Sequence, residues 1–134
     1  NIDIVGAGNG TVTGNPATDT LTISAPETLW VNQAVNLNPI VSGVGYIVTK
    51  NGLCDLTLPA LPAMGDIFKV TTGVLLANAW QISLNTGTLY ISNASSIVGL
   101  QSSTIGDTIE IICIVGGINP VYRVILYIGN IVLL

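Results

Sequence analysis

The residues of this chain that could perform chemistry are seven carboxylates and two cysteines, and no histidine accompanies them. Without histidine, the chain lacks the usual general base, the commonest transition-metal ligand and the group that activates a serine or cysteine nucleophile. A pair of carboxylates could still cleave a glycosidic bond, and the candidates for such a pair are Asp55, Asp66, Asp107 and Glu110. Each lies at a predicted turn or strand edge, where a solvated acid is the ordinary finding. The sequence therefore predicts a protein that is not an enzyme.

The spacing of the acids and cysteines does not indicate a metal or cofactor site. Calcium sites need clustered oxygen ligands, as in Asp-x-Asp-x-Asp-Gly, and two isolated cysteines without histidine do not form a zinc site. The glycine-rich residues 6–10 superficially resemble a dinucleotide-binding fingerprint. That fingerprint requires a following helix whose N-terminus binds pyrophosphate, whereas residues 11–14 are typical of a strand and a turn. We therefore expect no metal and no cofactor.

The two cysteines share a strand face with apolar residues. Cys54 alternates with Leu56 and Leu58, and Cys113 alternates with Ile109 and other aliphatic residues. This alternation predicts that both cysteines are buried free thiols. A single disulfide between them is the alternative in an oxidising compartment.

The aromatic residues are candidates for a sugar site, because sugars often bind to exposed aromatic rings that asparagine or aspartate flanks. The strongest candidate is Trp80, which an alternating strand separates from Asn85, with Tyr90 following. These three residues are the predicted glycan contacts. The alternative is that Trp80 and Trp30 anchor the core or an interface, since large aromatic side chains dominate the energetics of both.

The elements that must position these residues are predicted to be short β-strands. β-Branched residues dominate, Gly and Pro interrupt at short intervals, and apolar residues do not recur at helical spacing over any long window. The predicted fold class is all-β, with short antiparallel strands in a sandwich or barrel-like head. Residues 1–29, where Ile2 and Ile4 alternate with polar residues, are predicted to form a stalk-like or donated-strand segment, and residues 30–134 the head.

Two late segments, Ile111–Val115 and Val124–Ile128, are apolar on both strand faces. A strand buried on both faces normally belongs to a parallel sheet covered by helices, but no helix is predicted here. We therefore expect neighbouring subunits to complete or cover these strands, because monomers rarely expose large apolar patches. The residues predicted for this oligomer interface are Ile112, Ile114, Val124, Leu126 and Ile128.

The charge content favours association with copies of the same chain. Charged residues make up 7% of the sequence, against roughly 25% in a typical soluble domain, so a lone domain would lack the mixed-charge surface that keeps monomers soluble. The net charge of −4 argues against nucleic acid and anionic membranes as partners, because both attract Lys and Arg. No run reaches the roughly 20 apolar residues of a spanning helix, and we expect no membrane insertion.

Several short motifs resemble those of a C-terminal β-domain of phage tail-fibre-like and bacterial surface adhesin-like proteins. Between about Trp30 and Leu134 they occur in this order: Gly45-Tyr46-Ile47-Val48, Leu56-Thr57-Leu58-Pro59-Ala60, Gly65-Asp66, Trp80-Gln81-Ile82, Gly106-Asp107 with the strand that holds Cys113, and Gly129-Asn130-Ile131-Val132. Residues 1–29 resemble the Gly-Thr-Val-Thr-Gly elements that often precede such domains. The chain departs from the pattern at residues 74–79, which replace a glycine-rich approach to the tryptophan, and in its more apolar C-terminal region. Both departures suit tighter packing between subunits.

The resemblance implies a β-rich, trimeric fibre head that binds surfaces or glycans. We therefore expect a non-enzymatic extracellular fibre domain on a cell surface or virion, which oligomerises as a trimer and attaches to a receptor or a surface glycan. The alternative is a structural subunit of a self-assembling extracellular filament or appendage, in which an N-terminal strand completes the sheet of a neighbouring copy. In both cases the principal partner is another copy of this chain.

Overall fold

Every regular element of the described structure is a β-strand. A computed structural model describes residues 11–15, 20–24, 28–73, 79–102 and 104–134. The strands are β1 (Thr11–Asn15), β2 (Thr20–Ser24), β3 (Leu29–Gln33), β4 (Val44–Val48), β5 (Cys54–Leu58), β6 (Ile67–Thr72), β7 (Trp80–Leu84), β8 (Thr88–Ile91), β9 (Ala94–Ser96), β10 (Gly99–Ser102), β11 (Thr108–Val115), β12 (Val121–Ile128) and β13 (Ile131–Leu133). No helix occurs in these residues, which confirms the predicted all-β class.

The strands form two facing sheets and one separate hairpin. The seven-stranded sheet has the order β3-β4-β6-β11-β12-β8-β9, and the four-stranded sheet has the order β13-β10-β7-β5. Apolar side chains from both sheets form one core between them, which confirms the predicted sandwich. β1 and β2 pair with each other, and no pairing joins them to another described strand. The predicted strand at Ile2 and Ile4 lies outside the described residues.

The expected antiparallel pairing holds for only some of the strands, because four pairs are parallel: β3 and β4, β4 and β6, β5 and β7, and β12 and β8. From β4 the chain crosses to β5 in the other sheet, returns to β6 beside β4, and crosses again to β7 beside β5. Each sheet therefore supplies the crossover connection for parallel strands of the other, a role that a helix usually plays. Polar and apolar residues alternate with a period of two in parallel and antiparallel strands alike, so the sequence pattern could not show which strands pair in parallel.

The core follows the alternation of side chains along the strands. In β5, Cys54, Leu56 and Leu58 are fully buried, while the residues between them are partly exposed. The same alternation occurs in β6, β7 and β11. Trp80 and Tyr122 are the two largest fully buried side chains. Since burial of apolar surface is worth about 25 cal/mol per Å², this shared interior is the main stabilising feature of the sandwich.

One strand in the middle of the four-stranded sheet was not predicted. The composition of residues 93–103 indicates a polar loop, yet β10 pairs with β7 on one edge and with β13 on the other. Leu100 of β10 is fully buried, and so is Ser102, whose hydroxyl accepts a hydrogen bond from the backbone N–H of Trp80 at 3.1 Å. The serine is tolerated there because its hydroxyl has a partner inside the fold.

Asp107 is a buried carboxylate, whereas its position at a turn predicts a solvated one. It is 1% exposed and accepts hydrogen bonds from the N–H of Thr104 at 2.9 Å, the hydroxyl of Thr104 at 2.8 Å and the N–H of Asn130 at 3.1 Å. The carboxylate thereby ties the turn before β11 to the turn after β12. Gly129 is required beside it, because φ is 102° there and a Cβ atom would collide with the Asp107 carboxylate.

Asp107→Asn is expected to lower the free energy of unfolding by about 1–3 kcal/mol, because the amide NH₂ would face a donor that now bonds to a carboxylate oxygen. Urea unfolding followed by tryptophan fluorescence measures this change. Glu110→Gln is the control, since Glu110 forms a partly exposed ion pair with Lys69 at 3.8 Å, and such a pair is worth less than about 1 kcal/mol. Equal effects of the two substitutions would contradict a special role for Asp107.

Candidate functional site

The outer side of the seven-stranded sheet carries three rows of side chains that cross it strand by strand. The neighbours of these residues along the strands, such as Phe68 and Ile111, are fully buried in the core, so the rows point away from it. We call these residues the outward face. The first row is Trp30, Gly45, Lys69, Glu110 and Leu126, the second is Asn32, Ile47, Thr71, Thr108 and Ile128, and the third is Ile67, Ile112, Arg123 and Tyr90.

The first row places an aromatic ring next to an ion pair. Trp30 lies directly over Gly45, and any side chain at position 45 would collide with the indole ring. The tryptophan is nevertheless 45% exposed. Beside Gly45, the Lys69 ammonium lies 3.8 Å from the Glu110 carboxylate and donates to the hydroxyl of Thr28 at 3.2 Å. The two charges of this row therefore neutralise each other.

Two pairs of polar groups in the other two rows also contact each other. The hydroxyls of Thr71 and Thr108 share a hydrogen bond at 2.7 Å. The Arg123 guanidinium lies over the Tyr90 ring, 5.7 Å from its centroid, in a cation–π contact. Because these groups have partners within the outward face, a covering surface would need to supply few new hydrogen bonds.

The C-terminal end of β12 is exposed on both faces of the sheet. Ile125, Leu126, Tyr127 and Ile128 are 49%, 47%, 53% and 61% exposed. Leu126 and Ile128 belong to the outward face. Tyr127 pairs with the fully buried Ile109, so its side chain lies on the core side of the sheet although it is half exposed. The sandwich is therefore open at this corner.

Three of the five predicted interface residues lie together on the outward face. Val124 does not share this surface, because its side chain packs against the core. Ile114 is the extra residue of a bulge in β11 and is 37% exposed. An interface role for these residues stays a prediction. The three that share the outward face are Ile112, Leu126 and Ile128.

A bulge in β12 separates Val124 from the residues predicted beside it. Ile111 pairs with Val124, while the preceding Glu110 pairs with Leu126, so Ile125 is one residue too many for the ladder. An extra residue of this kind reverses the alternation beyond it. Strict alternation placed Val124 and Leu126 on one side, and the bulge places them on opposite sides.

The three predicted glycan contacts do not form one site. Trp80 is fully buried, and its indole N–H donates to the backbone carbonyl of Asp107 at 3.2 Å. Its assignment as a sugar platform is therefore corrected to that of a core anchor, because no ring face is open to a ligand. Asn85 is exposed after β7, where its amide donates to the Leu58 carbonyl at 3.0 Å, and Tyr90 belongs to the other sheet. Glycan contact by Asn85 and Tyr90 stays a prediction.

Trp30, Ile125 and Tyr127 are also exposed, although they are not among the five predicted interface residues. A signal for Trp30 was present, because a glycine inside a strand, here Gly45, often marks the close approach of another group. Ile125 and Tyr127 belong to the segment Val124–Ile128, for which the sequence predicts only that neighbouring subunits cover it. Their exposure follows from the bulge and from where β8 ends, and both are set by pairing between distant segments.

Cys54 and Cys113 are free and buried, as their alternation predicts. The thiol of Cys54 donates to the Val35 carbonyl at 3.3 Å, and that of Cys113 donates to the Val115 carbonyl at 3.1 Å. Burial raises the pKa of both thiols above the ordinary cysteine value. Both groups therefore behave as small apolar side chains with satisfied S–H donors.

Two other acids considered for catalysis are engaged in local hydrogen bonds. Asp55 accepts from the Ser83 hydroxyl at 2.7 Å, and Asp66 accepts from the Ala63 N–H at 2.9 Å. Within the described residues, no three His, Cys, Asp or Glu side chains come together as metal ligands would. The same part of the chain contains no helix long and apolar enough to cross a membrane.

Comparison with known proteins assigns no family to this chain. No model of a known protein family matches it, and a search of curated proteins gave no significant match. The resemblance to fibre-protein domains therefore rests on the sequence motifs and stays a prediction.

The buried thiols are expected to resist alkylation in the folded protein. A raised pKa lowers the thiolate fraction at any given pH, and the thiolate is the reactive form. Incubation with iodoacetamide at neutral pH, followed by intact mass spectrometry, should give no adduct on the folded chain and two adducts once urea unfolds it. Rapid labelling without urea would contradict the burial of Cys54 and Cys113.

Proposed function

We propose that this chain is a non-enzymatic fibre domain that associates with copies of itself through the outward face. The observation that supports this best is that Leu126 and Ile128 are about half exposed on a face where Thr71 bonds to Thr108 and Lys69 pairs with Glu110. Apolar patches of this kind rarely stay uncovered on a soluble monomer. A neighbouring copy would remove them from water, which stabilises an assembly by about 25 cal/mol per Å².

The electrostatics of the outward face favour a weakly charged partner. Lys69 and Glu110 neutralise each other, and Arg123 lies over Tyr90 on the same face, towards the β8 and β9 edge of the sheet. A partner with a strongly charged surface would gain little from such a face, since complementary potentials drive that kind of recognition. Another copy of this chain, with charges on 7% of its residues, fits it better.

The assembled domain is, in this proposal, the head of an extracellular fibre on a cell surface or virion. Three copies related by one axis form a closed head, because a heterologous contact that closes produces a ring. The head attaches its fibre to a receptor or a surface glycan. Asn85 lies outside the outward face and remains exposed for such a contact.

A binding or structural role suits these side chains better than catalysis. The chain has no histidine. Asp107 is buried beneath three hydrogen bonds and Glu110 is paired with Lys69. A general acid or base has to reach the substrate proton that it transfers, and neither carboxylate is free to do so.

A filament subunit is the second candidate, and the hairpin of β1 and β2 favours it. Among the described strands these two pair only with each other. A hairpin of this kind could add to the sheet of the next copy, and a head-to-tail exchange that does not close would give open-ended growth. Negative-stain electron microscopy of the purified protein separates the two candidates, because a closed head gives discrete particles and strand exchange gives filaments.

Ile112→Lys is expected to dissociate the assembly, because an ammonium buried at an interface without a partner costs several kcal/mol. Sedimentation velocity should show an oligomer for the wild-type chain and a smaller species for the variant, with unchanged circular dichroism. Thr57→Lys places the same charge on the outer side of the four-stranded sheet and should keep the wild-type mass. A wild-type chain that remains monomeric at every concentration tested would rule out the proposed function.

A further inference from the structure

The seven-stranded sheet has a stepped edge beside β12. β8 pairs with β12 only from Val121 to Arg123, and the chain turns into β9 after Ile91. On its other side, β12 pairs with β11 as far as Ile128. Along Ile125–Ile128, which we call the free edge, no described strand pairs on the side away from β11. The backbone N–H and C=O groups that point to this side therefore have no strand partner in the described part of the chain.

The side chains of the free edge are apolar on both sides of the sheet. Leu126 and Ile128 are exposed on the outward face, at 47% and 61%. Tyr127 is 53% exposed on the core side, where it pairs with a fully buried isoleucine of β11. A strand added here would cover apolar groups above and below the sheet and would close the open corner of the sandwich.

The free edge lacks the charged residues and prolines that protect many natural sheet edges, and the bulge at Ile125 is the one such feature found there in the described structure. Such edges usually carry a lysine or a proline, or a loop covers them. The sequence from Val124 to Leu134 contains no charged residue and no proline. The edge of β5, by contrast, is covered, because the Leu37 N–H donates to the Asp55 carbonyl at 3.0 Å and the Thr57 N–H donates to the Leu37 carbonyl at 2.9 Å.

We propose that two copies of this chain join at their free edges. Ile125–Ile128 of one copy adds antiparallel to the same residues of the other copy across a two-fold axis. This inference rests on the proposed self-association, and it adds a second contact to the one made by the outward face. The occupant of the free edge is therefore the free edge of another copy.

The stepped shape of the edge complements itself. A half-turn about an axis perpendicular to the sheet places the two free edges side by side and in opposite directions, as an isologous contact requires. β8 of the second copy then lies beyond Ile128 of the first copy, in line with its β12, and β9 of the second copy lies in line with β11. The first chain has already left that line, since β13 belongs to the other sheet. Each copy therefore fills the step of the other.

The chemistry of the free edge favours a copy of itself over a general extended peptide. An extended peptide that alternates in polarity would place polar side chains against either Leu126 or Tyr127. The free edge is apolar on both sides of the sheet. The free edge of a second copy would therefore place apolar side chains next to Leu126 on one side and next to Tyr127 on the other. Backbone hydrogen bonds would give affinity to any added strand, while this double covering gives specificity.

Disulfide cross-linking along the free edge tests the proposed register. Single cysteine substitutions at each of residues 125–128 are mixed pairwise and mildly oxidised, and dimers are measured on non-reducing gels. In an antiparallel pair, the residue number rises along one strand as it falls along the other. The highest dimer yields should therefore come from mixtures in which the two substituted residue numbers add up to the same total. These yields should exceed that of Thr57→Cys by about tenfold or more, because pairing raises the effective concentration of the thiols. The native Cys54 and Cys113 are buried and add little background.

Hydrogen exchange gives a second measurement that needs no substitution. The wild-type protein is concentrated from monomer to assembly. The exchange rate of the Ile125–Ile128 amides that face the free edge should then fall to about one tenth of its monomer value, or lower. Unchanged exchange rates across the same range of concentration would overturn the proposal.

The outcomes separate this inference from the proposed function. If Ile112→Cys cross-links in a wild-type-like oligomer while no mixture at residues 125–128 does, the free-edge contact is wrong and the outward-face contact stands. Yields that follow a constant difference between residue numbers would indicate parallel addition and would also overturn the inference. A wild-type chain that remains monomeric would overturn both proposals.

Discussion

The alternation of the chain between two sheets is the constraint on which the rest of the structure depends. Because β4, β5, β6 and β7 enter the two sheets in turn, every second residue of each strand points into one shared interior. Parallel pairing then needs no helix, since the opposite sheet provides the crossover. Because no helix is needed, no third layer of secondary structure covers the outer faces of the two sheets in the described chain. Side chains directed away from the core, such as Trp30 and Ile112, must meet either water or another molecule.

Because the chain has few charged residues, its outward side chains suit contact with another molecule better than contact with water. Lys69 neutralises Glu110, Arg123 lies over Tyr90, and the buried Asp107 holds two turns together. Charges that serve the fold in this way contribute less to a solvated surface. With charges on 7% of its residues, against roughly a quarter in ordinary domains, the chain has few others to place between its exposed aliphatic groups. Its surface therefore suits packing better than solvation.

The strands and the buried residues could be predicted from the sequence, but the order and direction of the strands in the two sheets could not. Alternation in β5 and β11 identified the buried residues, because the period of two depends only on neighbours along the chain. Strand direction, the central position of β10 and the bulge at Ile125 depend on pairing between distant segments, and no local pattern records them. Ile112 therefore lies on the outward face while Val124 packs against the core, and the interface role predicted for both stays a prediction. The free edge was not predicted, because it depends on where β8 ends.

The two proposed contacts reinforce each other rather than compete. A two-fold axis perpendicular to the sheet keeps the outward faces of both copies on the same side, so joining two free edges would merge two outward faces into one of twice the width. Leu126 and Ile128 would then lie at its centre and Trp30 at its two ends, because β3 is the opposite edge of each sheet. The doubled face would expose more contiguous apolar surface than either half and would gain more from being covered. Edge pairing would thus strengthen the outward-face contact, and the two together could build an assembly larger than either contact alone would close.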